Sequence, residues 1–93
     1  MDNDTNISTG DIMIEELVGY VSSNIKRKQI IDVLEKNGSD TADHLAKVTR
    51  IPRISLEKML DEMIERDMIK KDNEKYSLTE TGDQVVNVTR SLK

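Results

Sequence analysis

Residues 41–79, TADHLAKVTRIPRISLEKMLDEMIERDMIKKDNEKYSLT, decide the reading of the fold. Thr41 is a good helix N-cap, and the short segment Ala42 to Val48 behind it offers Leu45, Ala46 and Val48 for packing. The stretch Thr49 to Pro52 breaks that helix. Pro52 has a fixed φ and no amide hydrogen, so it suits the first turn of a further helix from about Arg53 to Arg66, whose stripe is Leu56, Met59, Leu60, Met63 and Ile64. After Arg66 the period changes. Met68 to Lys71 and Lys75 to Thr79 read as two short strands joined by the turn residues Asp72, Asn73 and Glu74.

Two helices across a tight break, followed at once by a hairpin, make a helix-turn-helix with a wing. A duplex major groove about 12 Å wide admits one helix, while the shorter helix braces it and a hairpin reaches a neighbouring groove. Ala46 is small enough for a close crossing of the two helices. Downstream, Thr79 caps a last helix from Glu80 to about Ser91, with Val85, Val88, Thr89 and Leu92 on one stripe and Val86 beside it. Upstream, residues 1–10 are too polar to offset the entropy of ordering and are expected to form a tail, with structure beginning near Asp11. From Ile12 onward, Met13, Ile14, Leu17, Val18 and Val21 follow helical spacing over a wide arc, which predicts a first helix buried on two sides. Ser23 is the predicted cap of a second helix carrying Ile30, Ile31, Val33 and Leu34 and ending at Asn37 and Gly38. The expected fold is mainly α with a small β-hairpin, a winged helix-turn-helix of order α-α-α-α-β-β-α over residues 11–93.

Composition removes other classes. The 93 residues include 18 acids and 14 bases, a net charge of −4, no cysteine and a single histidine, His44. Thiolate metal sites, disulfides and multi-imidazole sites are therefore excluded; no metal or cofactor is expected, and His44 reads as a surface residue. No run is apolar enough to span a bilayer, and the start MDNDTNISTGD is unlike a signal peptide, so a cytoplasmic protein is expected. Two tyrosines and no phenylalanine or tryptophan leave little surface on which unstacked bases lie. The acids offer no spaced pair with a nucleophile and no phosphate-cradling glycine loop, so no enzyme is expected. Met59 and Met63 read as core filling. Bases concentrate between residues 44 and 75, which is where a nucleic-acid surface belongs.

Over residues 12–92 the segments RKQIIDVLEKNG, TADHLAKVTRIPRISLEKMLDEMIERDMI and YSLTETG resemble the archaeal ArsR-like winged-helix transcription regulators. The resemblance implies a sequence-specific regulator of double-stranded DNA, dimeric through its first and last helices, Ile12–Val21 and Glu80–Leu92. It implies Thr41 as the cap of the bracing helix and Arg53, Ser55 and Lys58 as the exposed face of the reading helix. Arg27 matches a basic residue opening the second helix, and Lys70, Lys71 and Lys75 become wing residues that neutralise phosphates. Arg53 is the candidate for a base edge, because its planar fork pairs with guanine. The cysteines of the family's metal-sensing branch are absent.

Two departures shape an alternative. Asp67 stands where the family often has glycine, a change that aspartate's tolerance of the left-handed region accommodates. Glu57, Asp61 and Glu62 place negative charge on the reading helix. The competing expectation is a winged-helix protein-interaction module in which those acids meet a basic protein partner and no nucleic acid is bound.

Overall fold

The computed structural model describes the backbone of residues 3–91 and the side chains of residues 13–91. Five helices and three short strands follow in the order α1 (Asn3–Ser22), α2 (Ile25–Asn37), β1 (Asp40–Thr41), α3 (Ala42–Thr49), α4 (Arg53–Glu65), β2 (Ile69–Asp72), β3 (Lys75–Leu78) and α5 (Glu80–Ser91). The helix α1 starts at Asn3, ahead of the expected Asp11. The side chains of the expected tail, and those of Ile12 and Leu92, lie outside the described residues.

Local chemistry sets most of the boundaries. Asn24, in an extended conformation, accepts from the amides of Lys26 and Arg27 at 2.8 and 3.3 Å and so caps α2. The expected cap, Ser23, instead donates its hydroxyl to the Tyr20 carbonyl at 3.1 Å and closes α1. Gly38 ends α2 at φ 84°, where its amide reaches the Leu34 carbonyl at 2.9 Å. At the end of α4, Asp67 takes φ 63°; its amide bonds the Ile64 carbonyl and the Met68 amide bonds the Met63 carbonyl, a complete Schellman turn built on aspartate.

The sheet has the order β1-β3-β2, antiparallel throughout. The hairpin pairs Ile69 with Leu78 and Asp72 with Lys75, leaving Asn73 and Glu74 as its loop, with Asn73 at φ 60°. The strand β1, which pairs Asp40 with Tyr76, was not foreseen; two residues carry no alternation to read.

One core joins all the helices. Val21, Ile30, Leu34, Leu45, Leu56, Leu60, Met63, Met68, Ile69 and Val85 are buried in it almost completely. In α3 the inward stripe is Ala42, Leu45 and Thr49, spaced three and four apart, so Val48, expected to pack, is instead exposed. Met59 lies half-buried against this core and Met63 inside it, as fillers of an aliphatic interior. In α1, Leu17, Val18 and Val21 face the core while Met13 points to solvent, so only part of the wide arc is covered.

The YSLTETG segment fastens α5 to the end of α4. The Thr79 hydroxyl accepts from the Gly82 amide at 3.0 Å and donates to the Asp67 carbonyl, while the Thr79 amide donates to the Met68 carbonyl. Gly82 is buried so closely on that turn that an added Cβ would lie 2.2 Å from the Met68 carbonyl oxygen. That approach admits only glycine.

Candidate nucleic-acid interface

The turn between α3 and α4 is held from within. Thr49 donates its hydroxyl to the Leu45 carbonyl at 2.6 Å and accepts from the Ile51 amide at 3.3 Å, while Arg50 adopts φ 61° and its amide closes onto Ala46. Ile51 is buried, and Pro52 leads directly into α4. Lys26, from α2, donates its ammonium to the Thr49 carbonyl at 3.1 Å, a cation at the C-terminal end of α3 where the helix dipole favours one. Thr41 caps the other end of α3, accepting from the His44 amide at 3.1 Å. His44 turns to Asp40, with Nδ1 at 2.5 Å from the carboxylate. Burial alone would push the Asp40 carboxyl up, but the bonds from His44, the Thr41 amide and Asn37 hold it below the usual carboxylate range.

With Leu56, Leu60 and Met63 fully buried, α4 presents Ile54, Ser55, Lys58, Asp61 and Glu65 to solvent. Arg53 lies at the edge of this face. It donates through Nη1 to Asp43 in the first turn of α3, and through Nε to Glu57 at 2.9 Å. These two bonds, Asp43 first, push the guanidinium pKa above its ordinary value. Beside the clamp opens a crevice of about 200 Å³, lined by Thr41, Asp43, Arg53 and Glu57 from the helices and by Lys71, Glu74 and Tyr76 from the wing. The Lys71 ammonium sits 5.6 Å from the centre of the Tyr76 ring.

Of the residues singled out from sequence, the structure gathers Thr41, Arg53 and Lys71 around that crevice and leaves Ser55 and Lys58 exposed on the adjoining face of α4. The three wing lysines do not share one side. Strand alternation puts Lys71 with Tyr76, and sets Lys70 and Lys75 on the opposite face with Asp72 and Ser77. Arg27 is elsewhere and occupied. It donates to the Tyr20 carbonyl at 2.8 Å and stacks 3.9 Å from the centre of the Tyr20 ring, whose other face meets Arg66 at 4.0 Å. Tyr20 also donates to Glu62 at 3.2 Å, so this stack ties α1 and α2 to the far end of α4, about 13 Å along the helix from Arg53. Burial, aided by Glu62 and opposed by Arg27 and Arg66, pushes the Tyr20 phenol up. The stack thus removes Glu62 from the acids of the open face.

Sequence reasoning missed two members of the site. Asp43 is ten residues from Arg53 and meets it only through the α3–α4 turn. Ile54 is 85% exposed; its signal was there to read, since an apolar residue two positions before Leu56 falls on the side away from the stripe.

Similarity to known proteins agrees with this architecture. Among proteins of curated function none matches the chain. Among solved structures, the reduced form of MarR from E. coli superposes with a TM-score of 0.70 at 19% identity, over 99% of this chain and 72% of that one. RV1404 from Mycobacterium tuberculosis gives 0.68 at 17% identity, over 94% of this chain and 66% of that one. YusO from Bacillus subtilis gives 0.56 at 17% identity, over 99% and 81%. At such identities the likeness is one of fold, and this chain spans about two thirds of the mycobacterial protein's length. The winged helix-turn-helix family matches residues 26–93, from the start of α2 through α3, α4, the wing and α5, and the chain belongs to that family.

Proposed function

We propose that this winged helix-turn-helix domain is a duplex-DNA-binding transcription regulator that acts as a homodimer, with α4 in the major groove and the wing on the backbone. The observation that carries the reading is the open face of α4: Ile54, Ser55 and Lys58 have no role in the core, and Arg53 and the wing residue Lys71 border the crevice beside them. In this reading Arg53 exchanges a carboxylate for a guanine edge, Ser55 and Lys58 add polar and cationic contacts, and Lys71 meets phosphate. Lys70 and Lys75, on the outer face of the wing, serve a phosphate only where the backbone wraps past the hairpin. Thr41 acts as the cap that aims α3, and Arg27 is left to the Tyr20 stack. Steric exclusion of polymerase is the simplest consequence of such binding.

The narrower likeness to archaeal ArsR-like regulators belongs to the same proposal. It is supported by where its three segments fall: on α2, on α3 through the turn after α4, and on β3 into α5. The homodimer is supported by the uncovered flank of α1 and α5, where Ile14 and Val88 line a groove with Glu15, Gln84 and Asn87.

Titration of the chain against duplex DNA over a salt series tests the reading. Affinity is expected to fall with salt, and Lys58→Ala and Lys71→Ala, each removing one cation from both protomers, are each expected to flatten the log–log slope by about two. Negligible binding at low salt defeats the proposal and favours the protein-interaction module, in which Glu57 and Asp61 stay open to a basic partner while Glu62 is held by Tyr20.

A further inference from the structure

We propose that Ile54 reads the C5-methyl group of a thymine in the major groove, an inference that rests on the DNA-binding reading and adds a specificity-determining residue to it. Ile54 is the second residue of α4 and, at 85% exposure, the most exposed large apolar side chain among the described residues. Nothing in the fold uses it. The buried stripe of the helix is complete without it in Leu56, Leu60 and Met63, and a β-branched residue there gives the helix no propensity advantage. The other exposed apolar residues sit elsewhere: Met13 on α1, Ile25 at the start of α2, Val48 on α3 and Ile64 late in α4, next to the buried Met63.

The surroundings of Ile54 select its partner. Arg53 and Ser55 flank it in sequence, and Lys58, one helical turn on, shares its exposed face. The acids Glu57 and Asp61 lie three and seven residues on, and a single aliphatic side chain set among such charged and polar neighbours is too small a patch to hold a protein surface by itself. It matches the one apolar group that a base pair displays in the major groove, the thymine methyl, while its neighbours meet phosphate and base edges. Branching at Cβ limits Ile54 to essentially one rotamer on a helix, so little side-chain freedom is lost on contact.

The test uses the full chain and a duplex recovered by selection from a random pool at low salt, with each thymine of the bound site replaced in turn by deoxyuridine. Wild type is expected to lose affinity about fourfold at one position per half-site, the factor corresponding to ~0.8 kcal/mol for one methyl-sized group removed from water. Ile54→Ala is expected to bind the parent duplex correspondingly more weakly and to be indifferent to that replacement, with an unchanged thermal melt because the side chain is exposed. If no thymine replacement affects wild type, or if Ile54→Ala still senses it, the assignment is overturned while DNA binding stands. If selection recovers no duplex at all, both readings fall together.

Discussion

The Arg53 guanidinium meets two carboxylates before it meets any partner. Asp43 and Glu57 are both exposed, and ion pairs so open to water are weak, so a guanine or a phosphate can displace them. What they add is aim: two bonds fix a fork that would otherwise sweep freely at the start of α4. They also put negative charge where a polyanion must approach. Neutralising one of them should therefore help binding, and Asp43→Asn is expected to raise duplex affinity about three- to tenfold at low salt, a gain that shrinks as salt rises and persists in an Arg53→Ala background because the repulsion acts on the phosphates directly. Unchanged or weaker binding by Asp43→Asn in titrations at fixed low salt contradicts that account of the clamp. The spacing of Arg53 and Glu57, four apart on a helix, is visible in the sequence as a pair; Asp43 joins only once the turn has folded, which is why its part was not legible. Ile54 was legible in principle, as the apolar residue that breaks the stripe.

The helices α1 and α5 leave the largest apolar question at the level of elements. The first helix covers the core with Leu17, Val18 and Val21, yet Met13 is 57% exposed and Ile14 only half-buried, beside the groove shared with Val88. A second copy packed there would complete the arc, and a stable interface of this kind buries about 800 Å² on each partner. Sedimentation at micromolar concentration is expected to show a dimer, and Met13→Glu to shift it toward monomer; a monomer for the unmodified chain at every concentration contradicts this interface. The bounds of α3, α4, the hairpin strands and α5 follow the sequence reading to within about a residue, because caps and periodicity agree there: Thr41, Pro52 and Thr79 each stand at a helix start. Where two neighbouring residues compete for one role the sequence is ambiguous. Asn24 caps α2 although Ser23 is also a competent cap, and Thr49 takes the inward position expected of Val48 because it completes the three-and-four spacing from Ala42. The hydroxyl of Thr49 is tolerated in the core because it bonds the Leu45 carbonyl.

The whole molecule carries a net charge of −4, so any attraction to DNA depends on how the charge is distributed and not on its sum. The order of α3, α4 and wing was legible in the sequence, since each element has its own period. Alternation alone sets Lys70 and Lys71 on opposite faces of the wing, but only the register, which pairs Asp72 with Lys75, puts Lys75 with Lys70, so just one wing lysine borders the crevice with Arg53. The cationic footprint that remains, Arg53, Lys58 and Lys71, is small, so the proposed duplex binding is expected to be weak and to be lost at moderate salt. Amide shift mapping of the labelled chain during titration with duplex DNA at low salt tests the central claim most directly. The account predicts shifts concentrated in Arg53–Lys58 and around Lys71, reversed by added salt, with α2 and the Tyr20 stack undisturbed. Shifts confined to α1 and α5, or a spectrum that no duplex changes, contradict it.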